Sequence, residues 1–231
     1  MNWENDILRN YRWCREISDE DVKIRRARAV VCRAENGQII GVGTGSSSFV
    51  GLRELARRIA EEGLRVTVIP AASEIATACA ALRVPMTTLM VARPDWCFDG
   101  ADEIDETGSV IKGRGAGLYQ EKLIIASAPK RFLIAEDKKF VRRAGNVPVP
   151  VEVFPAAVHL AEAGLRELGA SEVQLRLAKA KDGAVVTENG NILLDCRFPE
   201  IRAGLEKEIK CIPGVIESGR FQNYGFECPR V

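Results

Sequence analysis

The feature that most constrains the fold of this chain is an alternation of short apolar runs with helical segments between residues 38 and 136. The runs QIIGVG, RVTVIP, TTLMVA, WCFDG and RFLIAE are typical of strands. The segments FVGLRELARRIA, SEIATACAAL and AGLYQEKLIIASA have the apolar spacing of helices. Strands that alternate with helices predict a parallel sheet with helices on both faces and with ligands at the carboxyl ends of its strands.

The pattern changes after about Asn146, where strands outnumber helices. PVPVEV, EVQLRLA and GVIESGRF predict strands, and residues 156–168 and 201–212 predict helices. AVVTENGNILLDCRF predicts a hairpin with a type I′ turn at Asn189-Gly190. We therefore predict an α/β fold: a Rossmann-like parallel-sheet domain over residues 1–145, to which 222–231 could return, and a smaller α+β domain over 146–221.

Composition excludes several classes of protein. Lys and Arg total 33 against 32 acidic residues in a chain of 231, so no basic excess is available for nucleic acid. No apolar run is long enough to span a bilayer, and Met1 precedes a polar segment, so we expect a cytoplasmic protein without membrane partners. The seven cysteines form no C-x-x-C pair and His159 is the single histidine, which argues against a metal site. We expect Cys32, Cys79 and Cys97 to be buried.

The segment GVGTGSSS follows a predicted strand and opens a predicted helix. That geometry aims N–H groups at an anion, assisted by the hydroxyls of Thr44, Ser46 and Ser47. It matches the dinucleotide fingerprint G-x-G-x-x-G poorly, and no Gly-Lys-Ser/Thr follows as in a P-loop. We favour a monophosphate as the ligand, with a tight turn capped by serines as the alternative.

Two further segments carry groups suited to acid–base chemistry. In DGADEID, Asp99 and Asp102 would face one crevice at a strand end, whereas Glu103, Asp105 and Glu106 fit a solvated turn. KGRGAGLYQEK places Lys112 before a glycine turn and Glu121 on the following helix; we assign the adjacent Lys122 to the surface. Carboxylates near an ammonium group, on a loop where N–H groups can reach a ligand, indicate an enzyme that moves protons on a small anion.

The three motifs G-T-G-S-x, D-G-A-D-E and K-G-x-G-x-x-L-x-x-E-K occur in this order along the chain. In this respect the chain resembles the A-type ribose-5-phosphate isomerases. PVEVFP, VTENGNILLD and IPGVIESGRF are further matches, so that the resemblance covers roughly residues 21–221. Three ordered motifs are more specific than any one of them alone.

The resemblance implies interconversion of D-ribose 5-phosphate and D-ribulose 5-phosphate through an enediolate, without metal or organic cofactor, in the non-oxidative pentose phosphate pathway. It assigns catalysis to Glu121 as general base, to Asp99 for ring opening and hydroxyl protons, and to Lys112 for the enediolate charge. It assigns substrate binding to Thr44, Gly45, Ser46, Ser47, Gly100, Ala101, Asp102, Gly113, Arg114, Gly115 and Lys139. Lys138 is an alternative to Lys139, and Lys23 is an additional phosphate contact. By the same analogy we expect a homodimer or homotetramer.

Two other functions stay open at this point. One is a related sugar-phosphate isomerase or deaminase of the same fold, and the other is a sugar-phosphate-binding protein with impaired catalysis. Arg114 stands where the family usually has glycine, and this departure is a reason to consider a binding protein with impaired catalysis. If that position needs a positive φ, a non-glycine residue costs roughly 1–2 kcal/mol there and could shift the loop.

Overall fold

A computed structural model describes residues 6–229 of the chain. The α-helices are α1 Asp6–Arg9, α2 Glu20–Val31, α3 Gly45–Glu62, α4 Ser73–Ala81, α5 Leu118–Ser127, α6 Val158–Glu167 and α7 Leu205–Lys210. The strands are β1 Ile39–Val42, β2 Thr67–Pro70, β3 Trp96–Asp99, β4 Glu103–Ile104, β5 Val110–Ile111, β6 Arg131–Leu133, β7 Val149–Val153, β8 Glu172–Leu175, β9 Ile192–Arg197, β10 Val215–Ser218 and β11 Arg220–Phe221. Short 3₁₀ turns cover Asp137–Lys139 and Pro155–Ala157.

Contacts between Cα atoms divide the chain into two compact units. The first unit runs to Gly100 and also includes Leu123–Glu136 and the chain from Gly225 onward. The second unit comprises Ala101–Lys122 and Asp137–Tyr224. A compact unit is not the same as an independently folding domain. The domain boundary at residue 145 therefore stays a prediction.

The first unit contains the predicted parallel sheet, in the order β2-β1-β3-β6. β1 pairs parallel with β2 and β3, and β3 pairs parallel with β6. Val42 at the end of β1 lies beside Phe98 of β3, which brings the segments after both strands to one sheet edge. The chain near its end adds a parallel bridge to β6, in which Leu133 N donates to Glu227 O at 2.8 Å.

Helix α3 packs closely on this sheet because one of its residues lacks a side chain. A Cβ on Gly51 would lie 2.4 Å from the Phe98 ring. Val50, Leu52 and Leu55 of the same helix are fully buried, as the apolar spacing of this segment predicts. The close contact sets the start of α3 next to the end of β3.

The second unit is built from two antiparallel sheets with α6 and α7. One sheet has the order β10-β7-β9-β8, and a smaller one has the order β11-β5-β4. The core of the unit is apolar; its fully buried members include Val149, Val151, Val153, Leu165, Leu205 and Ile209. The α/β fold class with additional antiparallel strands is therefore confirmed.

Two local predictions are wrong. TTLMVA forms turns rather than a strand, and the side chains of Met90 and Val91 are 96% and 79% exposed. The Asn189-Gly190 turn is not type I′, because Gly190 has a φ of 78° but Asn189 is not among the non-glycine residues with positive φ. Instead Gly190 N donates to Thr187 O at 3.0 Å.

A buried carboxylate explains the shape of that turn. Glu152 Oε1 accepts hydrogen bonds from Thr187 Oγ1 at 2.8 Å, Asn189 Nδ2 at 3.0 Å and Asn191 Nδ2 at 2.8 Å. The segment before the turn forms only isolated bridges, Leu177 with Ala184 and Val186 with Ile192, instead of the predicted strand. The contacts to Glu152 thus override the local turn preference of Asn-Gly.

Two acidic residues that we assigned to a solvated turn are buried. Glu103 accepts from the backbone N–H groups of Gly145 at 2.8 Å and Val147 at 3.2 Å. Asp105 accepts from Arg220 Nη2 at 2.7 Å and from the residues of its own turn. Burial alone would raise the pKa of Asp105, but the bonds from Thr107 and Arg220 outweigh it and lower the pKa. Glu106 is exposed, as expected.

The assignment of Lys122 to the surface is also wrong. Its Nζ atom lies 2.7 Å from Glu206 Oε1 and 3.1 Å from Glu217 Oε1, and it donates to Arg220 O at 2.8 Å. It also sits 4.4 Å from the centre of the Phe221 ring. This ammonium group lies between two largely buried carboxylates of the second unit, of which Glu217 also has Lys210 at 3.4 Å.

Several smaller expectations have clear outcomes. Cys79 and Cys97 are buried as predicted, whereas Cys32 is exposed because it follows the last turn of α2. His159 is exposed. Among residues 6–229, no helix is both long enough and apolar enough to cross a membrane.

We predict that Lys122→Ala lowers the free energy of unfolding by about 3–5 kcal/mol, because it removes the cation that lies 2.7 Å from the largely buried Glu206. Urea denaturation at pH 7 measures the change. The exposed Lys207 on α7 supplies the control, since Lys207→Ala should change stability by no more than about 0.5 kcal/mol. Equal effects of the two substitutions would contradict this account of Lys122.

Candidate active site

The turn after β1 is shaped by the carboxylate of Asp99. A Cβ on Gly43 would lie 1.8 Å from the carboxyl carbon of Asp99, so only glycine fits there. Gly45 has a φ of +75°, in the left-handed region that favours glycine, and begins helix α3. The glycines of GVGTGSSS therefore let the chain pass over Asp99 and enter the helix.

Asp99 ends strand β3 and is only 2% exposed. Its Oδ1 atom accepts from Gly100 N at 2.7 Å, Ser48 Oγ at 3.0 Å and Thr44 N at 3.3 Å. A Cβ on Gly100 would lie 3.0 Å from Ser47 Cβ, so the chain after Asp99 also passes close to α3. The carboxylate is thus held in one orientation by groups of the first unit.

The start of α3 offers hydrogen-bond donors for an anion. Gly45 N already donates to Glu74 Oε1 at 2.7 Å. The next two N–H groups, those of Ser46 and Ser47, lie in the first turn of α3, where backbone N–H groups have no partner within the helix. Both serines are half-buried, with their hydroxyls on the same first turn. The geometry suits a small anion at the positive end of the helix.

Residues 11–17, which precede helix α2, pack beside this turn. Trp13 stacks on Phe49 of α3, with ring centroids 4.6 Å apart and 21° between the planes. Tyr11 and Ile17 also pack on the core of the first unit. Burial, followed by the charge of Glu74, raises the pKa of Tyr11. Sequence patterns did not predict this packing.

Lys23 is held in a buried ion pair of the first unit. Its Nζ atom lies 3.0 Å from Glu136 Oε1 and donates to Ser18 O at 2.5 Å. An ammonium group at 4% exposure needs such partners, because burial of an unpaired charge is costly.

In the second unit, Lys112 and Glu121 form a buried pair of opposite charges. Lys112 Nζ lies 3.4 Å from Glu121 Oε2, and the two residues are 3% and 2% exposed. Lys112 follows β5, and Glu121 lies on the first turn of α5. The structure therefore places Glu121, which the resemblance assigns as the general base, beside Lys112, which the resemblance assigns to the negative charge of the enediolate.

The backbone of Lys112 is fixed by Gly219, which lies between β10 and β11. Lys112 N donates to Gly219 O at 2.8 Å, and a Cβ on Gly219 would lie only 2.1 Å from Lys112 O. Gly219 N in turn donates to Pro150 O at 2.6 Å. Any side chain at position 219 would push the Lys112 backbone away from this sheet.

Asp102 shares its surroundings with the charged pair. Burial raises the pKa of Asp102 and Glu121 acts in the same direction, while Lys112, Lys139 and a hydrogen bond from Arg114 N at 3.3 Å oppose the rise. Lys139 is thus one of two lysines whose charge acts on Asp102, while Lys138 is exposed. The half-buried Ala101 precedes Asp102.

The glycine turn tolerates Arg114 without strain. Gly113 has a φ of +109° and Ala116 has a φ of 67°, but Arg114 is not among the non-glycine residues with positive φ. A Cβ on Gly113 would lie 3.0 Å from Leu118 Cβ. Arg114 and Gly115 are exposed. The departure from the family glycine therefore falls where a side chain is allowed.

Sequence patterns missed two residues that contact this turn. Arg176 Nη1 donates to Gly113 O at 2.8 Å and to Arg114 O at 3.1 Å. Asp195 accepts from Arg176 Nε at 2.8 Å. The available signal was weak: an arginine and an aspartate on two predicted strands, with nothing to indicate that they meet.

Within each unit, the predicted residues gather as an acid–base site requires. A buried carboxylate beside an ammonium group can take up a proton while the cation stabilises a developing oxygen charge. N–H groups at the start of α3 can bind the anionic end of a small molecule. The fold and these groups define an α/β enzyme that moves protons on a small anionic substrate.

Comparison with known proteins gives the family. Residues 67–228 match ribose 5-phosphate isomerase A (phosphoriboisomerase A). A protein of Natronomonas pharaonis named ribose-5-phosphate isomerase A is 40% identical over 87% of this chain and 89% of its own length. The solved structure of ribose 5-phosphate isomerase A from Methanocaldococcus jannaschii has a TM-score of 0.86 and 39% identity, covering 88% of this chain and 92% of that one.

A second solved structure is of a D-ribose-5-phosphate isomerase in complex with phospho-erythronic acid. It has a TM-score of 0.87 and 31% identity, and the match covers 92% of this chain and 95% of that one. This chain belongs to the ribose 5-phosphate isomerase A family. The resemblance that the three motifs carry is confirmed.

We predict that Asp102→Asn makes the protein more stable at pH 7. The pKa of Asp102 is higher in the folded protein than the ordinary 3.8, so the folded protein binds the proton more tightly than the unfolded chain does. Ionisation of Asp102 therefore costs stability as the pH rises above that ordinary value, and asparagine avoids the cost. Urea denaturation should show a gain at pH 7 that shrinks as the pH falls towards 4. A gain that does not vary with pH would contradict the assigned cause.

Proposed function

We propose that this protein, a ribose-5-phosphate isomerase by its family, moves a proton between C1 and C2 of the open-chain sugar through an enediolate. The observation that carries the mechanism is the buried pair of Lys112 and Glu121, with 3.4 Å between Nζ and Oε2. Aldose–ketose isomerisation needs a base for a carbon-bound proton and a cation for the oxygen that becomes negative. The pair supplies both groups.

In the direction from aldose to ketose, Glu121 removes the proton from C2. The electrons of that bond form the C1–C2 double bond, and the carbonyl oxygen on C1 becomes an enediolate oxygen that the Lys112 ammonium group stabilises. Glu121 then returns the proton to C1. The hydroxyl proton on O2 passes to O1, so that C2 becomes the new carbonyl carbon and C1 carries a hydroxyl group. No atom is gained or lost, so the step needs no oxidant or reductant.

The remaining residues bind the sugar and handle hydroxyl protons. We assign ring opening to Asp99, because three donors to Oδ1 keep its carboxylate in one orientation. We assign Asp102 and Lys139 to the sugar, since they share the charge environment of Lys112. The Ser46 and Ser47 N–H groups suit the phosphate, because a helix start favours an anion. The relative bound to phospho-erythronic acid supports a phosphorylated sugar chain as the ligand class.

Membership of the ribose 5-phosphate isomerase A family favours this reaction over that of a related sugar-phosphate isomerase or deaminase. An impaired sugar-phosphate-binding protein is an outcome of the assays below, in which it would bind the pentose without converting it. A homodimer or homotetramer, a cytoplasmic location and a cofactor-free reaction remain predictions.

We predict that Glu121→Gln slows the conversion of ribose 5-phosphate by about 10²–10⁴-fold, because the amide cannot accept the proton. The amide is close in size to the carboxylate but leaves the buried Lys112 without its opposite charge, so circular dichroism must check that the variant is folded. Glu106→Gln, on an exposed residue of the acidic turn, is the control and should leave turnover unchanged. Near-normal turnover in Glu121→Gln would remove this residue from the mechanism.

For Lys112→Ala, we expect kcat to fall by a larger factor than KM rises. The reason is that the ammonium group meets a full negative charge only in the enediolate and the transition states that lead to it. Steady-state kinetics with ribose 5-phosphate separates the two parameters. A rise in KM with unchanged kcat would reduce Lys112 to a binding residue.

A further inference from the structure

The glycine turn after Lys112 is held by an arginine to which the proposed chemistry assigns no part. Arg176 Nη1 donates to the carbonyl oxygens of Gly113 at 2.8 Å and Arg114 at 3.1 Å. Its Nε and Nη2 atoms both donate to the carboxylate of Asp195, the first at 2.8 Å. The two side chains are 17% and 23% exposed. One guanidinium group therefore joins the turn to an aspartate on β9.

This contact sets the direction of two peptide groups. In a trans peptide, the C=O and N–H groups point in opposite directions, and the described residues contain no cis peptide. Because the Gly113 carbonyl faces Arg176, the N–H group of Arg114 faces away from it, and this N–H donates to Asp102 Oδ2 at 3.3 Å. The Arg114 carbonyl also faces Arg176, so the Gly115 N–H of the same peptide group points away from Arg176.

We propose that Arg176, held by Asp195, is a positioning residue that aims the N–H groups of Arg114 and Gly115 at Asp102 and at the oxygen atoms of the bound sugar. The inference rests on the proposed function and extends it to residues that do not touch the substrate. Donors that already point in the right direction need not reorient when charge develops on an oxygen, which is how such groups accelerate a reaction.

The turn has a weak hydrogen bond of its own, from Ala116 N to Gly113 O at 3.2 Å, and Arg176 adds a shorter bond to the same carbonyl. Arg114 and Gly115 are exposed, and glycines at 113 and 115 give the backbone access to many conformations. Arg176 and Asp195 lie on more rigid parts of the unit: Asp195 is within β9, and Arg176 N continues the ladder beyond β8 by donating to Leu193 O at 2.9 Å. Strands β8 and β9 thus restrain the Arg176 guanidinium group, and this group restrains the carbonyls of Gly113 and Arg114.

The same two strands supply a matched control. Arg197 on β9 and Glu172 on β8 form an ion pair with 3.3 Å between Nε and Oε2, and both side chains are about half exposed. This pair joins the strands as Arg176 and Asp195 do, but Arg197 Nη1 donates to Asn146 O at 3.4 Å and not to a carbonyl of the glycine turn. A loss of activity that comes only from weaker strand association should therefore appear in Arg197→Met as well.

The test compares Arg176→Met, Arg176→Lys and Arg197→Met in the conversion of ribose 5-phosphate. Displacing donors by about an ångström can cost two orders of magnitude, so we expect Arg176→Met to lower kcat/KM about 10–100-fold, mainly through kcat. Arg197→Met should stay within about twofold of wild type. Arg176→Lys keeps the charge but not the planar fork, so it should remain close to Arg176→Met.

A pH profile separates positioning from a merely structural role. The charged groups that act on Asp102 are Lys112, Lys139 and Glu121, and the Arg114 N–H bond helps to keep its pKa down. Loss of that bond should raise the pKa of Asp102. The fall of kcat/KM at low pH, its acidic limb, should therefore begin at a higher pH in both Arg176 variants and stay in place in Arg197→Met.

Distinct results overturn the two proposals. If wild type does not convert ribose 5-phosphate, the proposed function fails and this inference fails with it. If wild type is active but Arg176→Met shows the kinetics and pH profile of Arg197→Met, or Arg176→Lys restores full activity, only this inference fails. Should Arg176→Met not fold, Asp195→Asn takes its place and should shift kcat/KM and the acidic limb in the same direction by a smaller factor. An unchanged profile in that variant overturns the inference.

Discussion

The structure depends above all on two opposite charges that are kept out of water. Lys112 and Glu121 are both almost fully buried, and burial of either charge without the other would cost several kcal/mol. Their backbones cannot easily move apart, because Lys112 N is bonded to Gly219 O and Glu121 N to Gly117 O. Gly219 bonds directly to Lys112, and the turn that Arg176 contacts begins at the next residue.

The fold could largely be predicted because it follows from short-range patterns. The spacing in α3 and the apolar runs of β1, β2, β3 and β6 are visible within windows of a few residues, and they predict a parallel sheet. The failures occurred where distant contacts override local preference. The turn at Asn189-Gly190 takes its shape from Glu152, which lies 37 residues from Asn189 along the chain. No local pattern contains that information.

The proposed reacting groups could be named from motifs, whereas the residues that contact them could not. Asp99, Asp102, Lys112 and Glu121 stand in a short stretch with recognisable spacing. Asp105 and Lys122 resemble solvated charges in sequence, yet their partners Arg220 and Glu217 lie 115 and 95 residues away. A charge on a polar segment is normally exposed, so burial becomes apparent only when its partner is seen. The role of Arg176 was hidden for the same reason.

A crystal structure of the protein with phospho-erythronic acid, the compound bound by a structural relative, tests the central claim most directly. The account predicts the carboxyl end of the compound beside the charged pair. Glu121 should lie about 3–3.5 Å from the carbon atoms at that end, and Lys112 should donate to one of their oxygens. A complex in which that end of the compound lies out of reach of both side chains would contradict the mechanism.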